Sequence, residues 1–139
     1  PLDPVPREYG LEFISGSHIW GKMFMPKKFL THEEYDYKPK SFDPIPDIES
    51  NRDQYEILSW DLEPGDCIVF HFKTLHAGAG NPRQSTRRRA FSSRWLGDDT
   101  VFAERPGKTS PPFPELTFKQ GDSMIHPLFP VCWENHQTA

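Results

Sequence analysis

At 139 residues the chain is long enough for one hydrophobic core and too short for a core plus a second domain, so a single domain, or part of one, is expected over residues 1–139. An aromatic content of 14% together with 15 prolines suits short strands joined by irregular loops and argues against a helical bundle. The net charge of −4 gives no general attraction for nucleic acid or anionic membrane, and no run approaches the ~18 apolar residues of a spanning helix.

Cys67 and Cys132 form no CxxC pair and are too few for a disulfide scaffold, which points to a reducing, cytoplasmic setting. The N-terminus has no charged-then-apolar signal pattern. The opening Pro1-Leu2-Asp3-Pro4-Val5-Pro6 runs almost directly into an apolar segment, so the chain is expected to be the later portion of a longer domain.

In chain order, Leu11-Glu12-Phe13-Ile14 alternates briefly before Gly16 and predicts a short strand entering a Gly-Ser-His turn. Residues 19–52 show no durable period and contain Pro26, Pro39, Pro44 and Pro46. A span of that length without structure usually serves as a lid or binding loop, and an irregular active-site or substrate loop is expected, with one helical turn over 31–35. Tyr55-Glu56-Ile57-Leu58-Ser59-Trp60-Asp61-Leu62 predicts a second strand, and Glu63-Pro64-Gly65-Asp66 a tight turn.

Cys67-Ile68-Val69-Phe70-His71-Phe72 carries the strongest strand propensity and leads into His76; Cys67 there reads as a small buried apolar residue. Ala77-Gly78-Ala79-Gly80-Asn81-Pro82 predicts a turn, and residues 88–95 a returning antiparallel strand. The proline-rich stretch 100–139 is expected to be an extended tail that packs through Phe113, Leu116, Phe118, Leu128, Phe129 and Trp133.

This order places His76 at a strand end beside permissive glycines, with arginines on the next strand. The block Leu62 to Asn81, followed by Arg87-Arg88-Arg89-Ala90-Phe91-Ser92, and the earlier Gly16-Ser17-His18 together resemble the phytanoyl-CoA dioxygenase family. The matching stretches run from about Leu2 to Trp95. The resemblance implies a mainly β, double-stranded β-helix (a cupin-like jelly roll), with the N-terminal part of the domain missing here. It also implies an Fe(II)/2-oxoglutarate-dependent dioxygenase that uses O2 to hydroxylate a small organic molecule, with release of succinate and CO2.

In that family two histidines and one carboxylate hold iron, and the downstream histidine falls on His76; a turn histidine satisfied by backbone or solvent is the other reading. The arginine that holds the distal carboxylate of 2-oxoglutarate begins an Arg-x-Ala/Ser pattern, which Arg88-Arg89-Ala90 matches. Strand alternation then puts Ser92 on the same face. Counting from His76 through Asn81 selects Arg87 instead, so the register stays open. Arg87 and Arg89 also read as a basic edge. His71 and His18 are possible pocket residues, or core histidines.

The family's His-x-Asp pair, which supplies the other two ligands, is absent. His32-Glu33-Glu34 lies downstream of Gly-Ser-His and reads as a solvated loop. Either the chain is a fragment or it is a degenerate member, and a metal-free jelly-roll binding module is the alternative function. The short basic patch lacks stacking aromatics and does not make a nucleic-acid site.

Overall fold

The computed structural model describes residues 1–27, 33, 42–78, 80–81, 87–104 and 113–134. The chain divides into two compact units, Pro1–Ser92 and Ser93–Ala139.

The first unit is mostly non-helical and is built on a three-stranded antiparallel sheet in the order β2-β1-β3. The strands are β1 Leu11–Ile14, β2 Ile57–Leu58 and β3 His76–Gly78. In register, Phe13 faces Leu58 on one side and His76 on the other, and Ile14 faces Ile57. Successive strand side chains point to opposite faces, yet Phe13 and Ile14 are both buried. The central strand is therefore covered on both faces at its C-terminal end.

Val5 and Met25 complete the buried apolar set among the described residues. Val5 is held by reciprocal backbone hydrogen bonds with Leu62 of 2.8 and 2.9 Å. On the same face of β1 as Ile14, Glu12 accepts from both terminal nitrogens of Arg52, at 2.7 and 3.0 Å. The Arg52 hydrogen bonds hold Glu12 below the usual carboxylate range.

The turn predicted at Glu63-Pro64-Gly65-Asp66 is present: Asp66 N–H donates to Glu63 O at 3.0 Å, and Glu63 N–H to the Asp66 carboxylate at 2.8 Å. Two other expectations are corrected. Residues 67–72 form no strand; Val69 is 90% exposed and Cys67 is exposed as well. High β-propensity does not make a strand without a ladder partner, and no described segment pairs with this one.

Ala77 and Gly78, expected in a turn, belong to β3 instead and pair with Glu12 and Leu11. A Cβ on Gly78 would lie 3.0 Å from Leu11 Cδ2, so the glycine serves close strand approach, not chain reversal. The expected hairpin of residues 67–72 with the arginine segment 88–95 is likewise replaced, since neither stretch forms a strand. Leu2 N–H donates to Arg89 O at 2.9 Å and Arg89 N–H donates to Asp3 at 2.7 Å, so the backbone groups of Arg89 bond the N-terminal segment.

Within residues 19–52, Phe24 and Asp43 form a parallel bridge, and a 3-10 segment runs over Glu49–Gln54. The helical turn expected over 31–35 lies outside the described residues except for Glu33. No helix of the described residues is long and apolar enough to cross a membrane.

In the second unit, Val101 bridges Ser123, and Phe102 exchanges backbone hydrogen bonds with Gly121 and Asp122 at 2.8 and 2.7 Å. Phe102, Phe118, His126, Phe129 and Phe113 form a chain of ring contacts with centroids 5.3–6.2 Å apart. These are the edge and tilted spacings that aromatic quadrupoles favour.

Candidate active site

His76 opens β3 directly opposite Phe13. Its ring stacks on Phe13 at 5.8 Å and meets Phe70 at 4.8 Å. Its Nδ1 lies 2.8 Å from Thr74 O. A carbonyl can only accept, so Nδ1 carries the proton, and in the neutral ring the basic lone pair sits on Nε2. An imidazole whose tautomer is set by a backbone carbonyl is the arrangement that suits a metal-binding histidine.

The position of β3 depends on a residue to which the sequence reading gave no role. Ser17, 1% exposed, donates from Oγ to Ile14 O at 2.8 Å and accepts there from Leu75 N–H at 2.9 Å. One hydroxyl thus ties the end of β1 to the residue preceding His76. Gly16 takes φ 69 just before it, a left-handed conformation that glycine adopts at little cost and that turns the chain so Ser17 points inward.

Ser17→Ala removes a donor and leaves a part-buried N–H without its acceptor. The expected cost is about 1–3 kcal/mol, read as a lowered urea midpoint. An unchanged midpoint would show that the bridge contributes nothing. The signal in the sequence was the serine of Gly-Ser-His, whose hydroxyl could have been assigned to the turn it occupies.

Arg88 is half-buried, and its Nη1 donates to Gly80 O at 3.0 Å. That bond uses one of five guanidinium donors and directs the side chain toward the loop that leaves β3. Gly80 is four residues from His76, at most ~15 Å of chain at 3.8 Å per Cα step. Arg87 is exposed and adds a weaker attraction to Asp3.

Arg89 has a different role. Its Nε and Nη2 grip both oxygens of Asp3, at 3.1 and 2.8 Å. These hydrogen bonds hold Asp3 below the usual carboxylate range and raise the guanidinium further. Asp3 carries no local signal in the sequence, because its partner lies 86 positions away.

His18 and His71 lie together, ring centroids 5.6 Å apart and both exposed. His71 Nδ1 accepts from Lys73 N–H at 3.2 Å, which places the proton of its neutral ring on Nε2. Ser92 is exposed, and the alternation that would place it beside Arg88 is not present because residues 88–95 form no strand.

Among the described residues no three His, Cys, Asp or Glu side chains gather as a metal centre. His76 has the chemistry of one ligand, but the described residues do not supply a complete set. His32 and Glu34 lie outside the described residues.

The family model described as "Phytanoyl-CoA dioxygenase (PhyH)" matches residues 1–90. That range contains His18, His71, His76, Arg87, Arg88, Asp3 and Ser17 and stops short of Ser92. No curated protein and no solved structure matches the chain. With His76 and the arginine segment inside a match that spans most of its length, the chain belongs to the phytanoyl-CoA dioxygenase family.

Proposed function

We propose that the chain contributes the downstream iron ligand and the cosubstrate anchor of an Fe(II)/2-oxoglutarate-dependent dioxygenase. The full domain would have the double-stranded β-helix architecture, and it would act in the cytoplasm on a small organic molecule. The observation that carries this is the Thr74–His76 hydrogen bond of 2.8 Å, which puts the ring proton on Nδ1 and the basic lone pair on Nε2 of an imidazole that opens a strand and packs against Phe13 and Phe70.

Bound iron would supply the O2 activation that converts 2-oxoglutarate to succinate and CO2 while a substrate C–H becomes C–OH. The chain's own part is positional. Phe13 and Phe70 fix the plane of the imidazole and keep water from one side of it. Arg88, steadied at Gly80, offers its remaining planar donors to the distal carboxylate, for which a guanidinium is suited because it can donate two parallel bonds. The family's His-x-Asp pair does not occur anywhere in residues 1–139, so these residues alone are expected to be inactive.

The test is iron- and 2-oxoglutarate-dependent succinate formation by the protein that carries this chain together with its remaining ligands. Arg88→Ala is expected to raise the 2-oxoglutarate KM by at least ~10-fold, since a lost charge-assisted bidentate contact is worth roughly 1.5–3 kcal/mol. Arg87→Ala should change it by less than ~3-fold. The reverse order would move the anchor to Arg87, and no dependence on 2-oxoglutarate at all would remove the oxygenase reading.

A further inference from the structure

The first unit contains a second feature, separate from His76 and Arg88. An open cleft of about 330 Å³ is lined by Trp20, Lys22, Phe24, Pro44, Pro46 and Tyr55. Trp20 meets Phe24 edge-on at 6.0 Å and Tyr55 at 6.1 Å, so three rings share one wall while Trp20 stays 38% exposed.

The segment that carries the two lining prolines is tied to the segment that carries Phe24. Met25 N–H donates to Asp43 O at 2.9 Å and Asp43 N–H to Met23 O at 2.8 Å, which sets Asp43 across from Phe24 and Pro44 next to that bridge. Proline fixes its own φ, so the cleft is formed before any ligand arrives and loses little freedom on binding. Its volume falls at the small end of ligand pockets, roughly 300–1,000 Å³.

The lining chemistry selects the ligand class. Three aromatic rings alone would suit a quaternary ammonium through cation–π attraction. Lys22, the one charged side chain among the described residues that line this cleft, repels such a cation and attracts an anion. Asp47, next to Pro46, is turned to its own helical segment, where it accepts from Ser50 N–H at 3.2 Å and its carbonyl accepts from Asn51 at 2.8 Å.

We infer that this cleft binds an organic anion with a flat apolar body: the body lies among Trp20, Phe24, Tyr55 and the prolines, and its acidic group pairs with Lys22. That this anion is the substrate of the oxygenase rests on the function proposed above; that the cleft binds it does not.

Three probes of one shape separate the possibilities when titrated calorimetrically and by the Trp20 indole N–H resonance: 2-naphthoate, 2-naphthylmethanol and (2-naphthylmethyl)trimethylammonium. The expected order of affinity is carboxylate, alcohol, ammonium. Lys22→Gln, at an exposed position, should weaken naphthoate by roughly 2- to 5-fold, the range of an exposed ion pair, and leave the alcohol unchanged. Lys22→Glu should place the ammonium first.

Arg88→Ala should leave naphthoate binding as it was. Tightest binding of the ammonium by the unmodified chain, or no response to Lys22→Gln, overturns the inference. Loss of naphthoate in Arg88→Ala with none in Lys22→Gln also overturns it and leaves the arginine anchor standing. Cleft binding as expected, with no 2-oxoglutarate-dependent turnover, keeps the cleft and removes only its assignment to an oxygenase substrate.

Discussion

Replacement of His76 by alanine is expected to abolish iron- and 2-oxoglutarate-dependent succinate formation in the protein that carries this chain. Loss of groups that merely orient a metal-bound histidine costs ~10–100-fold in metal affinity or activity, so loss of the ligand itself should leave less than about 1% of turnover. Affinity for Fe(II), or for Mn(II) as a redox-inert substitute, should fall in parallel.

His76 also packs on Phe13 and Phe70, so alanine opens space in the fold. His76→Gln separates the two effects, because it retains bulk and a polar end while removing the imidazole lone pair. If His76→Gln is as stable as wild type and still binds iron and turns over normally, His76 is not a ligand.

The largest effect on stability is expected at Phe13. It is 3% exposed and holds Trp60, Phe70 and His76 around one ring, with centroids at 6.0, 4.9 and 5.8 Å. A buried Phe→Ala change typically costs about 3–5 kcal/mol, the lost transfer energy plus the cavity left behind. Against a total stability of roughly 5–15 kcal/mol that is enough to unfold a marginal domain.

Guanidinium denaturation measures the cost directly. Phe91→Ala is the internal comparison, since Phe91 is 80% exposed and surface changes stay within about ±0.5 kcal/mol. Equal effects at the two positions would mean that Phe13 is not the centre of the core.

The residues that could be read from sequence are those whose structure is decided locally. Leu11–Ile14 alternates, is bounded by Gly16 and forms β1. The Glu63-Pro64-Gly65-Asp66 turn forms because proline, glycine and an acidic side chain satisfy it within four positions. What could not be read depends on distant partners. Residues 67–72 have the composition of a strand but no described ladder partner, while Ala77 and Gly78 have the composition of a turn and are drawn into β3 by Leu11 and Glu12.

The same division runs through the candidate site. His76 and the arginine segment stand out by family resemblance, but propensity could not show that Arg89 turns to Asp3 while Arg88 turns to Gly80. Nor does any local pattern predict that one serine hydroxyl, Ser17 Oγ, would join two strands.

The grip of Arg89 on Asp3 closes a loop of 86 residues. Bringing such ends together costs ~4 kcal/mol of chain entropy beyond a fixed constant, because the cost grows only as the logarithm of loop length. Local turns close at far lower entropic cost, and the long tie fixes both backbone groups of Arg89, the residue next to Arg88. Leu2 and Asp3 therefore act as a fastener for the segment that carries Arg88, although neither belongs to the sheet that carries His76. Shortening the chain at its N-terminus would loosen a guanidinium almost ninety residues downstream.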